Sequence, residues 1–253
     1  MKKLLLPVFV IAALVGCKKT VVSSPADQFG YVNFDLSADT EMTVITKAEP
    51  TAEELATYNV SLHNSTGLIE TKEYAEIAEL GGWKVPAGIY KVYVENYTED
   101  EATPQGSKGS IRLASLVEDV EVTAGVGTEV NVQCVPVNSR VTVAFDANFG
   151  AVFTDPVINL AGGLRSFDMT WGHEVANSVY YPAETEISWS LTASLAGEQR
   201  TYQSTDKILT QSGKWTQITF SASTTDGSIN VNITVSEDFG EPVQELVSIN
   251  PFE

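Results

Sequence analysis

The chain has 253 residues, 43% of them hydrophobic, which is enough apolar material for real cores and excludes a wholly disordered chain. Its formal net charge is −18, from 33 acidic against 15 basic residues. That excess disfavours nucleic acid and anionic lipid headgroups as partners, because both are bound through Lys/Arg patches.

In chain order, the first element is a leader. Met1-Lys2-Lys3 is a basic start, and residues 4–15 are an apolar run that ends in Leu14-Val15-Gly16-Cys17. The run is too short for a membrane-spanning helix, which needs roughly 20 residues. A basic region, an apolar region and small residues before a cut site make a secretory signal. With a cysteine directly after Gly16, the segment (residues 1–16) resembles the signal peptide and lipobox of bacterial lipoproteins. The resemblance implies cleavage before Cys17, a diacylglyceryl group on its sulfur and an added N-acyl chain such as palmitate. Loss of Lys2 and Lys3 would leave the mature chain near −20. Attachment then rests on lipid, each buried CH₂ adding about 0.8 kcal/mol, with more than one acyl chain needed for a stable anchor. Residues 17–27 are polar and small and read as a lipidated tether.

From residue 28 onward the apolar pattern has a period of two, which predicts strands. The first series covers 31–36, 58–62, 89–94, 111–122 and 130–135, the fourth long enough to hold a bulge. Pro136 and Asn138 mark a boundary, since proline disfavours a continuing central strand. The second series covers 141–145, 157–160, 167–171, 179–181, 187–195, 201–209, 215–220 and 229–235. Gly162-Gly163, Ala196-Gly197, Ser212-Gly213 and Asp226-Gly227 separate its members. Two short helices are expected in connections. Thr51-Ala52-Glu53-Glu54 has capping-box spacing, and residues 72–80 run to a Gly81-Gly82 stop. Residues 240–253 carry Val243, Leu246, Val247, Ile249 and Phe252, too apolar for a free tail, and are expected to blunt a sheet edge within the molecule, with exchange of this tail or of the strand at 31–36 between molecules as the alternative. The pattern predicts an all-β chain of two tandem antiparallel β-sandwich domains, residues 28–137 and 138–253, with few or no helices. Residues 127–132 echo residues 227–232, which hints at duplication.

Chemistry-bearing residues are few. Cys134 shares a strand face with Val130 and Val132 and reads as a buried, inert thiol, with Cys17 taken by lipid. Trp189 shares a face with Ile187 and Leu191 and reads as core. Trp83 and Trp171 flank turns and are the candidates for stacking on sugar rings. The two histidines, His63 and His173, complete no metal site, and His173-Glu174 reads as a loop pair. Glu99-Asp100-Glu101 and Glu237-Asp238 lack a calcium-loop pattern and read as solvated acidic loops. There is no G-x-S-x-G, P-loop or H-E-x-x-H motif, so no enzymatic activity, cofactor or metal is expected.

Val85-Pro86-Ala87-Gly88-Ile89-Tyr90-Lys91-Val92 carries a wider resemblance. Proline presets a turn, glycine supplies a free φ, and Tyr90 and Val92 start a half-buried strand. With Thr46-Lys47-Ala48, the Gly125-Val126-Gly127 turn before Val130, the lipobox and the second series opening at Val141, the whole chain resembles Bacteroidetes lipoproteins similar to fimbrillin-type pilus subunits and their minor anchor subunits. The resemblance implies two transthyretin-like or immunoglobulin-like sandwiches. It also implies a structural, adhesive role at the outer membrane, with other envelope or fimbrial proteins as partners. Lys18-Lys19-Thr20 follows the cysteine and the first acid is Asp27, so the surface and periplasmic faces both stay open. Subunits of this kind join by β-strand addition. Their maturation by a cut after a basic residue makes Lys47 the candidate processing site, and an anchor or accessory subunit would keep both its first strand and its lipid. The alternative is a surface lipoprotein that binds glycan through exposed Trp83 and Trp171.

Overall fold

A computed structural model describes residues 28–38, 50–170, 178–222, 229–236 and 242–249. The elements up to Pro136 are β1 (Phe29–Ala38), α1 (Ala52–Ala56), β2 (Asn59–Asn64), β3 (Gly67–Glu73), α2 (Tyr74–Glu79), β4 (Trp83–Pro86), β5 (Gly88–Glu95), α3 (Glu99–Ala102), β6 (Leu113–Val122) and β7 (Gly127–Pro136). They form one seven-stranded sheet in the order β3-β2-β5-β6-β7-β1-β4. β6 and β7 pair only at Leu113↔Pro136 and Ala114↔Val135, so the sheet turns a corner there. Val60, Leu62, Val92 and Val94 of one wing then share a buried cluster with Val32, Trp83, Val132 and Cys134 of the other.

Alternation accounts for the inner faces. In β7, Val130, Val132 and Cys134 are buried while Asn131 and Gln133 are exposed, the period of a pleated strand. β6 carries the expected bulge. Its register against β5 shifts between Tyr90 and Val92, and Asp119 sits at φ 58°. The Thr51 hydroxyl accepts from the Glu54 amide at 3.2 Å and Glu54 accepts from the Thr51 amide at 2.8 Å, which starts α1 with a full capping box. Thr98 and Glu101 make the same box, so the acidic run 99–101 is a helical turn rather than an open loop. α2 begins at Tyr74 rather than at 72, because Lys72 still pairs with Val60 in the β2–β3 hairpin.

Beyond Pro136 the elements are β8 (Ser139–Phe145), α4 (Ala147–Val152), β9 (Phe153–Gly162), β10 (Arg165–Thr170), β11 (Val179–Tyr181), β12 (Glu186–Leu195), β13 (Glu198–Gln203), β14 (Ile208–Leu209), β15 (Trp215–Ala222), β16 (Ile229–Ser236) and β17 (Pro242–Ile249). One sheet runs β10-β9-β12-β13 with β14 also on β12; the other runs β11-β8-β15-β16-β17. Both contribute to a second, aromatic core. Trp189 of β12 meets Phe220 of β15 edge-on with centroids 5.1 Å apart. Phe149 of α4 is fully buried and stacks on Phe153 at 4.8 Å. Asp146 caps α4 by accepting from the Phe149 amide at 2.7 Å.

The fold is all-β, but it departs from the purely antiparallel expectation. β1 runs parallel to β7, and β8 runs parallel to β15. Each of these leading strands also has an antiparallel short partner, β4 for β1 and β11 for β8. By position in the sheet the counterpart of β7 is therefore β15, whereas the echo of residues 127–132 falls on β16. Residues 201–209 are two strands rather than one, β13 and β14. The apolar C-terminal stretch pairs with β16 as β17 and closes that side of the sheet, as its composition requires. Trp189 is 4% exposed at the centre of the aromatic cluster. Trp189→Ala is expected to cost about 3–5 kcal/mol, read as a lowered urea midpoint with an unchanged m-value.

Candidate functional site

Three features carry chemistry or contacts beyond ordinary packing: the seat of β1, the junction at Asn138, and a polar hollow beside β12. β1 is an interior strand. It pairs with β7 from Tyr31↔Gly127 to Ala38↔Cys134 and with β4 from Phe29↔Pro86 to Val32↔Trp83. Two turns grip its beginning. The Ala87 amide donates to the Gln28 carbonyl at 2.8 Å, and the Gly125 amide donates to the Phe29 carbonyl at 2.8 Å. Both glycine-containing turns singled out by sequence, 86–88 and 125–127, thus converge on the same end of one strand. Lys84 lies over the Phe29 ring at 5.2 Å, and Asn33 donates to Glu129 at 2.7 Å. Val32 is fully buried, so β1 is part of the core as well as of the ladder.

The junction is built by residues 103–112, which strap the first half to the second. Asn138 is 4% exposed and accepts from the Arg112 amide at 3.0 Å while donating to the Ser110 carbonyl at 2.8 Å. The Tyr180 amide donates to the Lys108 carbonyl at 2.8 Å. Arg165 donates to the Ser107 carbonyl at 2.6 Å and to the Tyr180 carbonyl. Its guanidinium lies over Phe167 at 4.9 Å and Tyr181 at 5.2 Å. Among the described residues no carboxylate pairs with it, and its Nε has no acceptor. Burial lowers the Arg165 pKa from its ordinary value, the cost of a charge held by carbonyls and ring faces. Burial likewise pushes the Tyr181 phenol up to about 12. Gly109 is required in this strap. It sits at φ +79°, and a Cβ there would stand 2.6 Å from the Ala102 carbonyl oxygen and 3.2 Å from Arg165. On the other side Arg112 pairs with Glu95 at 2.7 Å and donates to the Tyr93 hydroxyl at 2.7 Å.

The hollow has a volume of about 260 Å³ and is lined by Asn159, Ser188, Trp189, Ser190, Gln203 and Ser204. It forms where β12 changes partners, from β13 at Ser190↔Gln203 to β14 at Ile187↔Ile208. Ser204 bridges the gap, its amide donating to the Trp189 carbonyl at 2.9 Å and its hydroxyl accepting from the Trp189 amide at 3.0 Å.

Of the residues chosen from sequence, Cys17, Lys47, Trp171, His173 and the pair Glu237-Asp238 lie outside the described residues. Trp83 is 3% exposed, which removes it as a stacking platform. It opens β4 opposite Val32, and alternation turns it and Val85 inward beneath β1. Cys134 is fully buried against the Val94 carbonyl, and burial pushes its thiol up to about 12. Trp215 is half-buried; its Nε1 donates to Thr142 at 2.7 Å and Arg140 covers its ring at 4.9 Å. Among the described residues no three potential metal ligands cluster, and no helix is long and apolar enough to cross a membrane. Arg165 and the hollow were not singled out from sequence. A lone Arg after Gly163-Leu164 and a row of Ser, Asn and Gln at outward strand positions look like ordinary surface.

The fold and these features define an all-β protein organised around an interior first strand. The chain belongs to the family described as Domain of unknown function (DUF4493), whose model matches residues 28–251. No curated protein matches it. Among solved structures it is similar to a proposed cell adhesion protein of Bacteroides eggerthii, at 12% identity and a TM-score of 0.46, covering 89% of this chain and 98% of that one. It is similar to a fimbrial assembly protein of Parabacteroides distasonis at 13% identity and a TM-score of 0.43, covering 85% and 97%. It is also similar to the fimbrial anchor protein Mfa2 of Porphyromonas gingivalis at 15% identity and a TM-score of 0.40, covering 85% and 99%.

Two outcomes are expected from these sites. Cys134 should resist iodoacetamide at neutral pH in the folded protein and react fully in urea, followed by mass. Arg165→Ala should remove the charged hydrogen bonds to the Ser107 and Tyr180 carbonyls and cost about 2–4 kcal/mol, with faster proteolytic cutting in 104–109 than in the parent protein.

Proposed function

We propose that this protein is a lipid-anchored structural or adhesion component of the bacterial outer membrane, an anchor or accessory subunit that keeps its own first strand and accepts a partner by β-strand addition. The single observation that carries the reading is the seat of β1. A strand bonded on both sides, gripped at its start by two turns and buried at Val32 supports a subunit that keeps it. If β1 were lost, Val85, Val130 and Val132 would face water and β4 would lose its only sheet partner among the described residues. A partner strand is then better received at an edge. β3 is such an edge, with every residue exposed except half-buried Lys72. The adhesion and fimbrial descriptions of the similar structures agree with this reading, which rests on β1 and on the lipobox. No catalytic step belongs to it. The tryptophan-based glycan reading loses Trp83 to the core.

Two measurements test the proposal. Replacing Cys17 with Ser should move the protein from the membrane to the soluble fraction; full retention after a carbonate wash overturns lipid anchoring. Mass spectrometry of the native membrane protein should find an acylated N-terminus at Cys17 with β1 still attached. A mature chain that starts at Ala48 without lipid would instead describe a subunit that gives up its first strand.

A further inference from the structure

The hollow beside β12 gathers five polar side chains, three of them already held by the fold and two, Ser190 and Gln203, with no bond among the described residues. Even-numbered residues of β12 point away from the aromatic core, and Ile187, Trp189, Leu191 and Ala193 point into it. The outer face is therefore Ser188, Ser190 and Thr192, facing Asn159 of β9 on one side and Thr201 and Gln203 of β13 on the other. Asn159 is held in place, its Nδ2 donating to Ser166 at 2.9 Å and to Asp168 at 2.8 Å. Those bonds fix the amide and leave its carbonyl oxygen accepting from Ser166 at 3.2 Å. Among the described residues, the Ser190 hydroxyl and the Gln203 carboxamide bond to nothing. A ligand in the hollow would thus meet the remaining acceptor position on the fixed Asn159 oxygen, the free amide of Gln203 and three hydroxyls, of which Ser188 already donates to the Ala161 carbonyl at 3.4 Å and Ser204 already accepts from the Trp189 amide.

The lining selects the class of ligand by elimination. No Lys or Arg lines the hollow, and the chain carries a net −18, so an anion finds no counter-charge. Asp168 is already bonded to Asn159, and no cluster of metal ligands occurs among the described residues, so a cation finds no cage. The tryptophan ring faces the core and only Ser, Asn and Gln side chains face outward, so an apolar ligand finds no surface. Amides and hydroxyls each donate and accept, which matches the vicinal hydroxyls of a neutral sugar. The volume, about 260 Å³, is just below the roughly 300–1,000 Å³ of sites for drug-sized ligands and suits a small ring. We propose that the hollow formed by Asn159, Ser188, Ser190, Gln203 and Ser204 binds a neutral saccharide unit. It needs none of the tryptophans proposed from sequence, and it is independent of strand addition.

The test uses the full-length protein in a zwitterionic detergent, applied to immobilised neutral glycans (oligomannose, β-glucan and galactan fragments) and to sialylated and sulfated ones. Neutral glycans should be retained and acidic ones should not. Ser190→Phe, at an outward strand position, should fill the hollow and cut retention at least tenfold. Gln203→Ala should weaken it severalfold, with an unchanged unfolding midpoint. If Ser190→Phe fails to fold, Gln203→Ala decides alone. Three results overturn the proposal: no neutral glycan is bound, only acidic glycans are bound, or binding survives in the folded variants.

Discussion

β1 can be seated only when strands from the far end of its half have arrived. Asn33 bonds to Glu129, 96 residues later, and the ladder around that contact is parallel, which no hairpin can supply. The second half repeats the demand, with Ser139 bonding to the Lys214 carbonyl 75 residues on, beside the parallel β8–β15 pair. Neither core can close from local pairs alone. The Val32 cluster needs β1 between β7 and β4, and the Phe149–Phe220 cluster needs β8 beside β15. Closure entropy is met before these contacts stabilise anything, so folding of each half is expected to be slow and cooperative.

The junction follows from the same arrangement. Because β1 and β8 both lead their halves, the chain leaves β7 at Pro136 and must enter β8 within three residues. Asn138 occupies that short passage and serves both sides. Its side chain holds the strap at Ser110 and Arg112, and its carbonyl accepts from Gly213 at 3.1 Å. Arg165 completes the clasp with no carboxylate partner among the described residues. Carbonyls accept from the guanidinium, and the aromatic contact adds attraction in a desolvated site.

Much of this was legible in the sequence, and the gaps have physical causes. Alternation of apolar residues located β1, β5, β7, β12 and β15 because each buries one face. It did not reveal β3, whose residues stay exposed and so carry no period, or β4, too short at four residues to show one. The same brevity hid the burial of Trp83. α4 went unseen because Asn148-Phe149-Gly150 has no helical stripe; the helix exists to insert Phe149. Parallel pairing leaves no local mark at all, which is why β7 was matched to β16 and not to β15. The threonine caps were readable since the box is a local pattern, and the acidic run 99–101 was misread only because its cap, Thr98, was not joined to it. The hollow is silent in sequence because a serine facing a ligand and a serine facing water have the same neighbours in the chain.

The parallel ladder of β1 has a mechanical consequence. A pull delivered at Phe29 along the strand runs against the whole β1–β7 ladder at once, from Tyr31↔Gly127 to Ala38↔Cys134, rather than opening it one rung at a time. Strands loaded in that shearing sense give way only when many bonds break together. Resistance to traction is then a rate, set by the unfolding barrier and not by equilibrium stability. A molecule tethered at its N-terminus and tugged from beyond its C-terminal sheet would meet that load in β1 first, in the part of the fold best built to bear it.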